Sequence, residues 1–280
     1  MASESWIVEN IQNAFNVLNA KMAEIWTLIS QSPAEFKGGA IWSVIRSVSN
    51  ALTATGLALV VLFFAMGIMK STIDFSQLKR PEQALKFFLR FVLAKTAVTY
   101  GLEIITAIFE ICQGVIAKAM SAVGGIGSNT VAIPDAIVKK IEAVGFFESI
   151  PLWAVTLLGS LFITVLSFVM ILSIYGRFFK LYTYAALAPV PLSTFAGEGT
   201  SSMGVHFLKS FAGVCLEGAV VVIACLIYSA FVSSSPVQLR DNMTAVNMVW
   251  CYVGETIFGM LVLVGSIKAS DRVIKELMGL

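Results

Sequence analysis

Charge is what this chain has least of. Of its 280 residues only 13% are Asp, Glu, Lys or Arg, while 58% are hydrophobic. A soluble domain carries about 25% charged residues, so half the polar surface that a water-soluble globule needs is missing. The formal net charge of +2 is too small to point to nucleic acid as the main ligand. Cysteine is scarce too: Cys112, Cys215, Cys225 and Cys251 all fall in apolar runs, and no two stand at CxxC spacing. Disulfides and structural zinc need clustered, accessible thiols, so the four read as buried free thiols acting as small hydrophobes. The one histidine, His206, reads as a solvated residue in a loop beside Lys209. There is no GxxxxGK[ST], HExxH, GxSxG or dinucleotide glycine fingerprint. No catalytic residue, metal site or cofactor is expected. The opening MASESWIVENIQNAFNVLNAKMAEIW lacks a basic start and an unbroken apolar core, so it does not read as a signal peptide.

What the chain does have is long uncharged runs. At ~1.5 Å per residue, about 20 residues cross a ~30 Å hydrocarbon core. Five apolar segments of that length stand out, two of them uncharged, at 47–69 and 149–176, and three with charges inside, at 87–116, 210–235 and 242–267. The expected fold class is therefore all-α: a polytopic transmembrane helical bundle over 44–280, preceded by a segment, 1–43, on the outer side. Within that segment Trp6, Ile7, Ile11, Phe15, Leu18, Met22, Ile25, Trp26 and Ile29 recur at helical spacing. Such an amphipathic helix either packs on its own protein or lies in the membrane interface, with Trp6 and Trp26 as headgroup anchors. Both readings stay open.

A sixth apolar run, 181–197, is interrupted by Pro189 and Pro191. Proline removes a backbone donor and clashes with the preceding turn, which predicts a helix break near Ala188. The run then reads as a re-entrant or interfacial segment, since broken backbone at membrane depth must be covered by protein or line a hydrated cavity. Basic residues agree with five spans. With the N-terminus outside and the C-terminus cytoplasmic, eleven Lys and Arg lie on inner segments and seven on outer ones. The inner group includes Lys79, Arg80, Lys86 and Arg90 in a long first loop, and Arg177 and Lys180 in a second. These basic loops suit anionic lipid first and DNA phosphates second. In the outer loop, GGIGSN reads as a turn, and Pro134 and Asp135 open a short helix with Ile137, Ile141, Val144 and Phe147 on one face.

Five ionisable residues stand inside the spans: Lys95, Glu103, Glu110, Glu217 and Glu255. Each costs ~2.5–3.5 kcal/mol at a helix centre. Lys95, Thr99, Glu103, Thr106, Glu110 and Gln113 share one helix face, which either packs against neighbouring helices or lines a hydrated cavity or subunit interface. Depth predicts that Lys95 pairs with Glu217, and that Glu103 and Glu255 face a polar centre.

The run RFFKLYTYAALAPVPLSTFAGEGTSSMGVHFLKSFAGVCLEGAVVV, with its basic exit, proline turn and re-entry through Phe207, Lys209 and Phe211, resembles the TrbL family. These are polytopic inner-membrane components of type IV secretion and conjugation machines. The run IWSVIRSVSNALTATGLALVVLFFAMGIMKSTIDFSQLKRPEQALKFFLRF looks like the short version found in conjugative elements of Gram-positive bacteria. The resemblance implies a channel or scaffold subunit of the bacterial cytoplasmic membrane. It implies a homo-oligomeric ring, for which five copies is one count it allows. Its partners would be membrane lipid, a small pilin-like membrane subunit, cytoplasmic secretion ATPases and other secretion components, with transient contact to single-stranded DNA and relaxase. The competing reading is a self-contained small-solute or ion transporter or channel. It gains from the glutamates at depth and loses because only one broken helix, not a repeated pair, is present.

Overall fold

A computed structural model of the chain describes residues 2–72, 81–121, 131–142, 146–234 and 244–280. Among them the chain forms nine α-helices joined by turns and 3-10 segments, with no strand. They are α1 (Ala2–Ser30), α2 (Ala40–Thr72), α3 (Pro81–Thr99), α4 (Gly101–Ser121), α5 (Asp135–Glu142), α6 (Phe146–Leu187), α7 (Pro189–Ser193), α8 (Ser201–Ser234) and α9 (Ala245–Met278). Five helical stretches are long and apolar enough to cross a membrane: Phe36–Lys70, Gly101–Ser121, Ile150–Leu187, Ser201–Phe231 and Val246–Met278. The protein is an all-α, multi-pass membrane bundle. Lys79, Arg80 and the GGIGSN turn lie outside the described residues.

The chain divides into two compact units, and α4, α6, α8 and α9 each contribute to both. The first unit comprises Met1–Ser30, Ala117–Tyr175 and Ala219–Ser270. Here α1 commits its apolar stripe to protein: Ile11 is 1% exposed, and Phe15, Leu18, Ile25 and Ile29 are fully buried. A stripe buried in this way is not available to lipid, so of the two readings of this helix the structure favours packing. Trp26 is half-buried, and the Trp6 side chain is outside the description. The polar face is used as well. Asn19 grips the extended backbone at Val131 from both sides, its Nδ2 donating to the carbonyl and its Oδ1 accepting from the amide, each at 3.0 Å. The Tyr252 hydroxyl donates to the neighbouring Ala132 carbonyl at 3.0 Å, while its ring meets Phe15 edge-on. Helix α5 follows directly, with Ile137 and Ile141 buried.

The second unit comprises Gln31–Ile116, Gly176–Gly218 and Asp271–Leu280. Its core gathers Val60, Ala94, Val98, Leu181, Ala185, Leu192 and Phe211. Helices surrounded by lipid gain little from apolar transfer and associate through close packing, which favours small residues at the contacts. This unit follows that rule. A Cβ on Gly56 would stand 2.8 Å from the Pro189 carbonyl oxygen and 2.9 Å from Val98, and one on Gly67 would stand 3.2 Å from the Glu198 amide. Helices α2 and α3 run antiparallel, with Phe64 and Phe91 ring centroids 4.9 Å apart.

At the two prolines the chain behaves as their chemistry requires. Helix α6 ends at Leu187 and α7 starts at Pro189. Carbonyls within and beside the broken segment are answered locally: Leu192 donates to Ala188 at 3.2 Å, and the hydroxyls of Ser193, Thr194 and Thr200 donate to Val190, Pro191 and Thr194. Ala188, Leu192 and Ser193 are fully buried. Irregular backbone beside membrane-length helices is thus covered by protein. The segment 87–116, read from sequence as one helix, is two helices meeting at Tyr100. The hydrogen bonds Tyr100→Thr96 and Ile104→Tyr100 persist at 2.9 and 3.0 Å, so this is a kink and not an end. It occurs beside Gly101, where the missing side chain makes room for Leu192: a Cβ there would be 2.9 Å from the leucine methyl.

Candidate functional site: the intramembrane charges

Helices α6, α8 and α9 outrun their predicted segments, and this relocates several charged residues. Helix α6 is 42 residues, about 63 Å long at ~1.5 Å per residue. Arg177 and Lys180 therefore sit on its continuous surface and not in a basic loop. Standing three apart, they occupy one face, and that face is turned to α8. Arg177 is 3% exposed. Its Nε donates to the Val214 carbonyl at 3.2 Å and its Nη2 to the Cys215 carbonyl at 2.9 Å. Gly218 makes room for the guanidinium, since a Cβ there would lie 2.9 Å from Cζ.

One helical turn on, Lys180 donates to Glu217 at 3.2 Å and to Asp271 at 3.0 Å. Asp271 also accepts from Lys275 at 2.9 Å. The Glu217 side chain is 7% exposed, against 44% for Lys180 and 34% for Asp271. The cation that meets Glu217 is thus Lys180 and not Lys95. Counting depth along a uniform slab failed because Lys95 stands on α3, which packs with α2 and α7, whereas Lys180 reaches α8 directly. His206, placed in a loop by sequence, is exposed on α8, which opens at Ser201 after the turn at Gly199 (φ +87°).

The polar stripe of the second span divides between α3 and α4. Lys95, Thr99, Glu103 and Glu110 are all exposed, with Thr106 half-buried. Glu103 and Glu110 line a cavity of about 560 Å³ shared with Trp42, Arg46, Asn50 and Thr106. Two of these escaped the sequence reading as site residues: Arg46 stands just before the uncharged run 47–69, and Asn50, inside it, carries no charge. Their spacing of four, which puts both on one face of α2, was the available signal. Glu255 is exposed on α9. Lys86 and Arg90, expected in a loop, stand on helix α3 instead; Lys86 is exposed, and Arg90 lies 3.9 Å from Glu198.

Cys112, Cys215 and Cys225 are buried free thiols, whereas Cys251, expected to be buried, is exposed. Among the described residues no three His, Cys, Asp or Glu converge as a metal site would require. The arrangement can hold helices together through charge and present polar groups at membrane depth.

No curated protein and no solved structure matches the chain. Residues 18–189, which run from within α1 through the whole of α2, α3, α4, α5 and α6 to the first residue of α7, match the family described as TrbL/VirB6 plasmid conjugal transfer like protein. That span exceeds half of the chain. The protein belongs to the TrbL/VirB6 conjugal transfer family and is a multi-pass membrane component of the type IV secretion class.

Proposed function

We propose that this chain is the channel or scaffold subunit of a conjugative type IV secretion machine. It forms an oligomeric ring in the cytoplasmic membrane that supports pilin assembly and substrate passage. The observation that carries this reading is the family match over residues 18–189. Exposed ionisable groups support it: Lys95, Glu103, Glu110 and Glu255 lie on exposed faces of helices, and lipid is a costly neighbour for each. A bundle that presents such groups is suited to assembly with protein. The subunit works by binding and positioning, and the energy for transport comes from cytoplasmic ATPases. Its basic inner residues favour an orientation with the N-terminus outside.

The test is native mass spectrometry of the full chain in lipid nanodiscs, together with transfer frequency in cells lacking the gene. Rings of several copies and loss of conjugation are expected. A monomer that carries measurable solute flux would instead favour the transporter reading.

A further inference from the structure

The cavity between α2 and α4 is not balanced in charge. It is lined by one cation, Arg46, and two carboxylates, Glu103 and Glu110, with Asn50 and Thr106 between them. The antiparallel course of α2 and its partner decides which carboxylate Arg46 can serve. Gly56 packs on Val98, and Phe64 packs on Phe91. Continued outward through the kink at Tyr100, that register brings Arg46 opposite residues 108–109, about 3 Å in level from Glu110 and about 8 Å, one and a half helical turns, from Glu103. Arg46 is thus nearer in level to Glu110, and as one cation among two carboxylates in the lining it leaves Glu103 as the less well matched.

We propose that this groove is a docking site for a transmembrane helix of another protein, one that presents a basic side chain to Glu103. Three observations converge. The cavity, about 560 Å³, opens on an exposed face of helices that belong to a membrane bundle. Three charged side chains in its lining make lipid tails a poor filler. Its surplus charge is negative, so the complement is cationic. A second copy of this chain fits less well. Rotation about the membrane normal preserves depth, so a neighbour's Lys95 arrives a helical length of about 12 Å from Glu103. The proposal rests on the scaffold reading above and specifies which face of the scaffold receives a partner helix.

The experiment uses the full chain in nanodiscs, with a photo-crosslinking amino acid in place of Asn50. The probes are synthetic leucine–alanine transmembrane helices that differ only in a central lysine, leucine or glutamate. The lysine helix should cross-link several-fold more than the leucine helix. Glu103→Gln should remove that difference, Glu110→Gln should reduce it less, and Glu103→Lys should transfer the preference to the glutamate helix. Equal capture of all three probes, or cross-links only between copies of this chain, would overturn the proposal. Ring formation is read separately in the same samples. Loss of rings with charge-selective capture intact would therefore count against the scaffold reading alone.

Discussion

Removing the Glu217 carboxylate leaves Lys180 with only Asp271. Because Lys180 is 44% exposed, the loss should fall below the ~3–5 kcal/mol of a fully buried pair, at about 1–2 kcal/mol. Glu217→Gln should accordingly lower the thermal midpoint of the protein in detergent, as read by fluorescence-detected gel filtration. The double variant Lys180→Met with Glu217→Met should be less destabilised than the sum of its single changes. Lys95→Met should show no such coupling to Glu217; if it does, the assigned pairing is wrong. Asn19 invites a second measurement. Its amide makes two hydrogen bonds to Val131, each contributing about 0.5–1.5 kcal/mol. Asn19→Ala should speed hydrogen exchange at the Val131 amide while leaving the centre of α8 protected. The sequence exposed the charges at 95, 103, 110, 217 and 255 because they interrupt apolar runs. It hid Arg177, Lys180 and Asp271, whose positions near the ends of uncharged runs made them look like loop residues.

Among the elements, the proline-broken segment depends most on its neighbours. Its break could be read from Pro189 and Pro191, because proline chemistry is local. What covers it could not, since the covering residues, Gly56, Val98 and Gly101, lie far away in sequence. Gly56→Leu must displace either α7 backbone or Val98, and should cost about 1–3 kcal/mol as overpacking. Gly114, on α4, has open space where its Cβ would be, so Gly114→Leu should stay within about ±0.5 kcal/mol. The same detergent melts compare the two. Equal effects would mean that the α2–α7 contact is looser than described. The kink at Tyr100 has a local signal, Gly101, but the Leu192 side chain that packs against that glycine lies far away in sequence.

For the whole molecule, five membrane-length helices in a chain with 13% charged residues decide that it lives in a bilayer. Orientation is the next question. Alkaline phosphatase fused after Leu280 should be inactive, and a cytoplasmic fluorescent reporter at the same position should be bright. The opposite pattern would reverse the proposed N-out, C-in topology. Helix identity, the approximate spans and the family were carried by composition and by motifs contiguous in the chain. Hydropathy and proline act over a few neighbouring residues, so sequence alone determined these features. The tertiary structure alone decided that α1 spends its apolar face on protein, that Glu217 belongs to Lys180, and that Arg46 shares a cavity with Glu103 and Glu110. These pairings depend on which faces of distant helices meet, and a helical repeat leaves that undetermined until packing selects it.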